Sequence, residues 1–186
     1  MTIDELIAWS RAGRSLVTTD LRRLDWSPAA IATALEHVQR EPDRAYLVVM
    51  ALREGASGVY ASLPAALRAQ ILCAALATQP SLNDWGTLED LDGIEGPAAR
   101  ALLELGLDAL PSLRRLLRDT SAAPLRGSEA ATLSHHHEYR RCDYAYRLAS
   151  TLLGDVVRFD VSPAARDLHI AELEALLDAA RPGQFE

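Results

Sequence analysis

The sequence predicts an all-α fold, and three observations carry that reading. Alanine and leucine supply 63 of the 186 residues (32 and 31), whereas aromatic residues make up only 5%; the first two favour helix, while strands prefer aromatic and β-branched side chains. Apolar residues recur three and four apart along most of the chain, the period of one helix face. Prolines and glycines punctuate these runs where helices start and stop. With 49% hydrophobic residues, a disordered chain and an all-β fold are excluded, and one domain spanning residues 1–186 is expected. Its first part, 1–80, reads as an irregular helical half.

Taken in order, Thr2 and Glu5 form a capping box for a first helix that Gly13 stops. A linker follows from Arg14 to Trp26, with a short turn at Leu21–Leu24. Ser27-Pro28 reads as an N-cap with proline at the first helical position, and that helix ends before Pro42. The stretch from Asp43 to Glu54 is apolar nearly all round, as a central buried helix must be, and Gly55 and Gly58 end it. Ser62-Leu63-Pro64 restarts a helix that runs to Gln79-Pro80. Residues 81–96 are helix-poor and carry Asp84, Glu89, Asp90, Asp92 and Glu95. Their spacing is not that of a calcium loop, so a solvated acidic connector is the simpler reading.

From Pro97 the pattern becomes regular. A helix over 97–105 stops at Gly106, and Asp108 is expected to cap the next, with Leu110, Leu113, Leu116 and Leu117 as its stripe. A polar loop is expected from Asp119 to His137. A helix over Glu138–Leu153 stops at Gly154. Val156–Phe159 reads as an extended link, and Ser162-Pro163 opens a last helix with Ile170, Leu173, Leu176 and Leu177 on its inner face.

Charge narrows the function classes. The formal net charge is −7, and all 19 basic residues are arginine. Without lysine there is no Schiff-base or P-loop chemistry. Both halves are acidic, so duplex nucleic acid is not an expected partner. No apolar run has the length of a membrane span, and no signal-peptide pattern opens the chain; a soluble, cytoplasmic protein without a membrane partner is expected. The motifs GxSxG, HExxH and GxGxxG are absent, and no catalytic residue and no cofactor is assigned. Cys73 and Cys142, far apart on apolar stripes, read as buried free thiols, and Trp9, Trp26 and Trp85 as core or rim anchors.

The segment Gly96–Asp119 resembles a HEAT repeat. A first helix with small apolar residues and a tight turn leads to a second that carries Leu110, Pro111, Leu113, Leu116, Leu117 and Asp119 in the family's pattern. Tyr139–Ala145 resembles the start of the next repeat, with Arg166–Leu177 as its second helix, so the likeness covers residues 96–180. It implies a right-handed stack of about eight helices, in which two-helix units bury their apolar faces against one another. It also implies that Arg140, Arg141, Asp143, Arg147, Arg166 and Asp167 tie the repeats together by Asp–Arg pairs. Arg115–Asp119 and Asp143–Arg147 are further i, i+4 candidates.

His135-His136-His137-Glu138 offers ligand chemistry for zinc or iron. Consecutive helical residues point about 100° apart, and the i+4 positions of His136 and His137 are Arg140 and Arg141, which repel a cation. No metal is therefore expected, and the string reads as a titratable loop or as part of a binding surface. The function expected is a non-catalytic protein-interaction module or accessory subunit on a HEAT-like stack. The alternative is a metal-dependent or nucleic-acid-modifying enzyme on the same fold. Its partner would be another protein, met by Arg114, Arg115, Arg118, Arg126, Glu129, His135, His136 and His137.

Overall fold

Thr2 caps the first helix as its sequence predicts: its hydroxyl accepts from the Glu5 amide at 3.2 Å, and the Glu5 carboxylate accepts from the Thr2 amide at 2.7 Å. That helix is the first of ten α-helices in a computed structural model that describes residues 1–14, 21, 24–78, 84, 85, 88, 96–123 and 129–179, the side chains of 129–131 and 133 excepted. They are α1 (Ile3–Arg11), α2 (Pro28–Arg40), α3 (Tyr46–Gly55), α4 (Ser57–Ser62), α5 (Ala65–Thr78), α6 (Pro97–Glu104), α7 (Leu110–Leu116), α8 (Glu129–His136), α9 (Arg141–Leu153) and α10 (Pro163–Ala179). Two 3-10 turns, Pro42–Arg44 and Gly106–Ala109, precede α3 and α7. The described residues hold no strand, so the all-α class stands; one isolated antiparallel bridge joins Ala122 to Arg140.

The helices pack in a chain of neighbours: α1 on α3, α3 on α5, α5 on α7, α7 on α9 and α9 on α10. The centre is α3, where Tyr46 to Leu52 are all buried. No polar face remains there because helices cover it from several sides. One hydrophobic cluster extends from Leu6 to Leu177. None of the described helices is long and apolar enough to cross a membrane.

Several boundaries differ from those the sequence suggests. Gly55 and Gly58 do not simply end α3; the short helix α4 begins at Ser57 and includes Gly58. The expected polar loop before His137 contains α8. The following helix starts at Arg141, not Glu138, because Glu138 has φ +51°, outside helical space. Asp108 lies within a 3-10 turn instead of capping α7. Leu116 and Leu176, expected inside, are half-buried and exposed, while Leu113 and Leu177 occupy the core. The linker residues 15–20, 22 and 23, and Glu89, Asp90, Asp92 and Glu95 of the acidic connector, lie outside the described residues.

Backbone hydrogen bonds clasp the two ends of the α7–α9 connection. The amides of Ala123, Arg141 and Cys142 donate to the carbonyls of Tyr139, Ser121 and Asp119 at 3.0–3.1 Å. Asp119 also pairs with Arg141 at 2.9 Å.

Candidate functional site

The last helix gathers most of the residues of interest. Ser162 caps it through the Ala165 amide, and Arg166, one turn in, is buried. The Arg166 guanidinium donates to four carbonyls: those of Asp160 and Val161 at 2.9 Å, His137 at 2.8 Å and Glu138 at 3.0 Å. Its Nε lies 3.2 Å from Asp143 Oδ1, and its plane lies over the rings of Tyr139 and Phe159. Asp143 also accepts from the Arg140 amide and guanidinium, both at 2.9 Å. The turn after α8, the start of α9, the link to α10 and α10 itself thus share one buried charge cluster.

Ion pairs then run along both flanks of α10. On one side Arg114 reaches Asp178, Arg118 meets Glu174 at 2.9 Å, and Arg140 meets Asp167 at 2.7 Å. On the other, Arg158 meets Glu172 at 2.7 Å and His169 meets Asp160 at 2.6 Å. Arg114 and Arg118 are therefore engaged with α10, although their side chains remain 40% and 69% exposed.

Between these flanks lies an apolar strip. Ala164, Leu168, Ala171, Ala175 and Ala179 are all exposed. They follow the three-four spacing of a second helix face, opposite the buried Arg166, Ile170, Leu173 and Leu177. Leu168 is 67% exposed, and Val161, just before the helix, 65%. Four of the five exposed large hydrophobics among the described residues, Val156, Val161, Leu168 and Leu176, belong to this last quarter of the chain. The signal of this strip in the sequence is that apolar residues recur on the outer face of the helix as well as the inner, a pattern that the expected inner stripe of Ile170, Leu173, Leu176 and Leu177 does not include.

The histidine string borders the same end of the molecule. His135 and His136 are exposed at the end of α8. The His137 ring stacks on Tyr139 at 5.7 Å and meets Phe159 edge-on at 6.3 Å. Among the described residues no three His, Cys, Asp or Glu side chains converge as metal ligands. Glu129 opens α8, and Arg126 lies outside the described residues.

Arg115 faces elsewhere. Its Nη2 donates to Ser112 Oγ at 3.1 Å, and it lines a cleft of about 420 Å³ between α5 and α7, together with Asp43, Cys73, Ala77, Leu116 and Asp119. The expected Arg115–Asp119 pair is not formed; Asp119 turns to Arg141. Burial alone would push the Asp119 carboxyl up, but hydrogen bonds from Ser121 and Arg141 outweigh it and hold the group below its ordinary value. Burial pushes both thiols, Cys73 and Cys142, up to about 12, and both are free. Neither is a thiolate nucleophile near neutral pH.

No family model, curated protein or solved structure matches the chain.

Proposed function

We propose that this chain is a non-catalytic protein-interaction module built on a HEAT-like stack, and that its partner is another protein laid along the outer face of α10. One observation carries the reading: an exposed apolar strip, Val161 and Leu168 with Ala164, Ala171, Ala175 and Ala179, flanked by the exposed Leu176 and by ion pairs on both sides. Exposed apolar surface gains free energy when covered, and patches concentrated in one region mark association sites. An apolar centre with a charged rim is the anatomy of a protein interface. Arg114 and Arg118 belong to that rim, and the His135–His137 string adjoins its amino-terminal end through His137 and Phe159. The small side chains at 164, 171, 175 and 179 let a partner helix approach closely, with Leu168 as the anchor.

The test is a double charge substitution on the strip, Leu168→Glu with Leu176→Glu. Both sites are exposed, so the variant is expected to keep wild-type circular dichroism and stability within about 0.5 kcal/mol. Proteins recovered reproducibly with the wild type from its native host are expected to be lost with this variant and kept with Arg115→Ala. Retention of the same proteins, at unchanged affinity, by the folded double variant would remove α10 from the reading.

A further inference from the structure

The cleft between α5 and α7 is separate from the α10 strip and rests on different observations. Its apolar lining is made by Cys73, Ala74, Ala77 and Leu116. Its volume, about 420 Å³, falls in the range of small-molecule pockets, about 300–1,000 Å³. Two opposite charges stand on its walls: Arg115 from α7, with Ser112 beside it, and Asp43 from the 3-10 turn before α3.

Among the described residues, neither charge is paired with an opposite one. The neighbouring arginines Arg114 and Arg118 are paired with carboxylates of α10. Among the described residues, Arg115 has only the neutral Ser112 hydroxyl as a hydrogen-bond partner, and no arginine pairs with Asp43. Arg115 and Asp43 share the cleft yet do not pair with each other, so their charged atoms are more than 4.0 Å apart. Asp119, the other acid on the wall, is already held by Arg141.

We propose that this cleft binds a small zwitterion, an unblocked amino acid or dipeptide. The ligand carboxylate would meet Arg115 and Ser112, the one cation among the described lining residues and the hydroxyl it holds. The ligand ammonium would meet Asp43, with Asp119 adding negative potential. An apolar side chain of modest size fits against Ala74, Ala77 and Leu116. A simple anion would satisfy Arg115 but face two aspartates, and a simple cation would face the guanidinium. A molecule carrying both charges satisfies both walls. Cys73 contributes apolar lining and no chemistry, since its thiol stays protonated near neutral pH.

Calorimetric titration of the untagged full chain distinguishes the cases. The probes are leucine and the dipeptide Ala-Leu, each compared with its N-acetylated and its carboxamide form, which lack one charge. The wild type is expected to bind leucine or the dipeptide, and the stronger of the two fixes the ligand length. Each blocked form is expected to bind about tenfold or more weakly, the loss of one charge-assisted hydrogen bond. Arg115→Ala is expected to bind free and carboxamide forms alike, and Asp43→Asn to bind free and acetylated forms alike. Ala77→Trp, at an exposed wall position, is expected to fill the cleft and abolish binding. The proposal is overturned if neither zwitterion binds at millimolar concentration. It is equally overturned if blocked and free forms bind alike to the wild type, or if Ala77→Trp binds normally. None of these results bears on the α10 strip, whose variants are assayed separately.

Discussion

Arg166 and Asp143 form an ion pair that water scarcely reaches: Nε and Oδ1 are 3.2 Å apart, and the two side chains are 3% and 2% exposed. Such a pair costs desolvation on both sides, and the four carbonyls around Arg166 and the second arginine, Arg140, on Asp143 offset it. Its value lies less in net energy than in geometry, since it fixes α10 against three other segments.

Arg166→Met is accordingly expected to cost about 3–5 kcal/mol, because it leaves buried carbonyls and part of a buried carboxylate unmatched. Arg118→Ala breaks an exposed pair and is expected to cost less than about 1 kcal/mol. Urea denaturation of the two variants tests the contrast; equal losses would show that the Arg166 cluster is not organising this end of the molecule.

The core makes a second contrast on one helix. Leu113 is fully buried and Leu116 only half-buried at the cleft. Leu113→Ala is expected to cost about 2–5 kcal/mol, and Leu116→Ala clearly less. Chemical denaturation in which Leu116→Ala is the more damaging of the two would reverse the assignment of the α7 faces.

Gly96 approaches another backbone more closely than a side chain permits. A Cβ there would stand 2.3 Å from the Asp84 carbonyl oxygen. Since backbone must move to relieve this contact, Gly96→Ala is expected to lower stability by about 1–3 kcal/mol. A melting temperature equal to wild type would mean that this approach is not needed for the fold.

His37 gives stability a pH dependence. Burial lowers its pKa, outweighing the Arg44 carbonyl near its ring and the Glu41 carboxylate. The folded state therefore favours the neutral ring, while the unfolded chain protonates it near pH 6.5. Its contribution is complete above about pH 6.5 and is lost as pH falls toward the lower folded value. Unfolding free energies measured between about pH 7.5 and 5.5 are expected to fall more steeply for wild type than for His37→Gln. Parallel curves would show that the ring does not titrate differently on folding.

Both thiols are buried and protonated at neutral pH. A thiol reagent is expected to leave them unmodified in the native protein and to react with both once the chain is unfolded. Rapid native-state modification that survives Cys73→Ala would place Cys142 at the surface.

Much of the architecture was legible because local chemistry dictates it. Thr2 with Glu5, Ser27-Pro28, Ser162-Pro163 and the left-handed Gly154 mark helix ends that depend on neighbours in sequence. Helix α8 was not legible: Glu129–His136 is polar and has little apolar periodicity. Leu176 and Leu177 were both placed inside, since adjacent leucines fit a three-four pattern equally well; packing buries only Leu177. The α7 arginines show the same limit. Arg114 and Arg118 are four apart and share a face toward α10, whereas Arg115 is turned about 100° away toward α5. Close together in sequence, the three read as one surface, and the helical period divides them. The burial of Arg166 depends on carbonyls from residues 137, 138, 160 and 161, which sequence spacing does not bring together.

The clasp that joins Asp119–Ala123 to Tyr139–Cys142 closes a ring of chain at its neck. The two ends of the connection are held at this neck by main-chain bonds. This neck therefore sets the registry of α7 against α9 through the main chain, whatever side chains stand there.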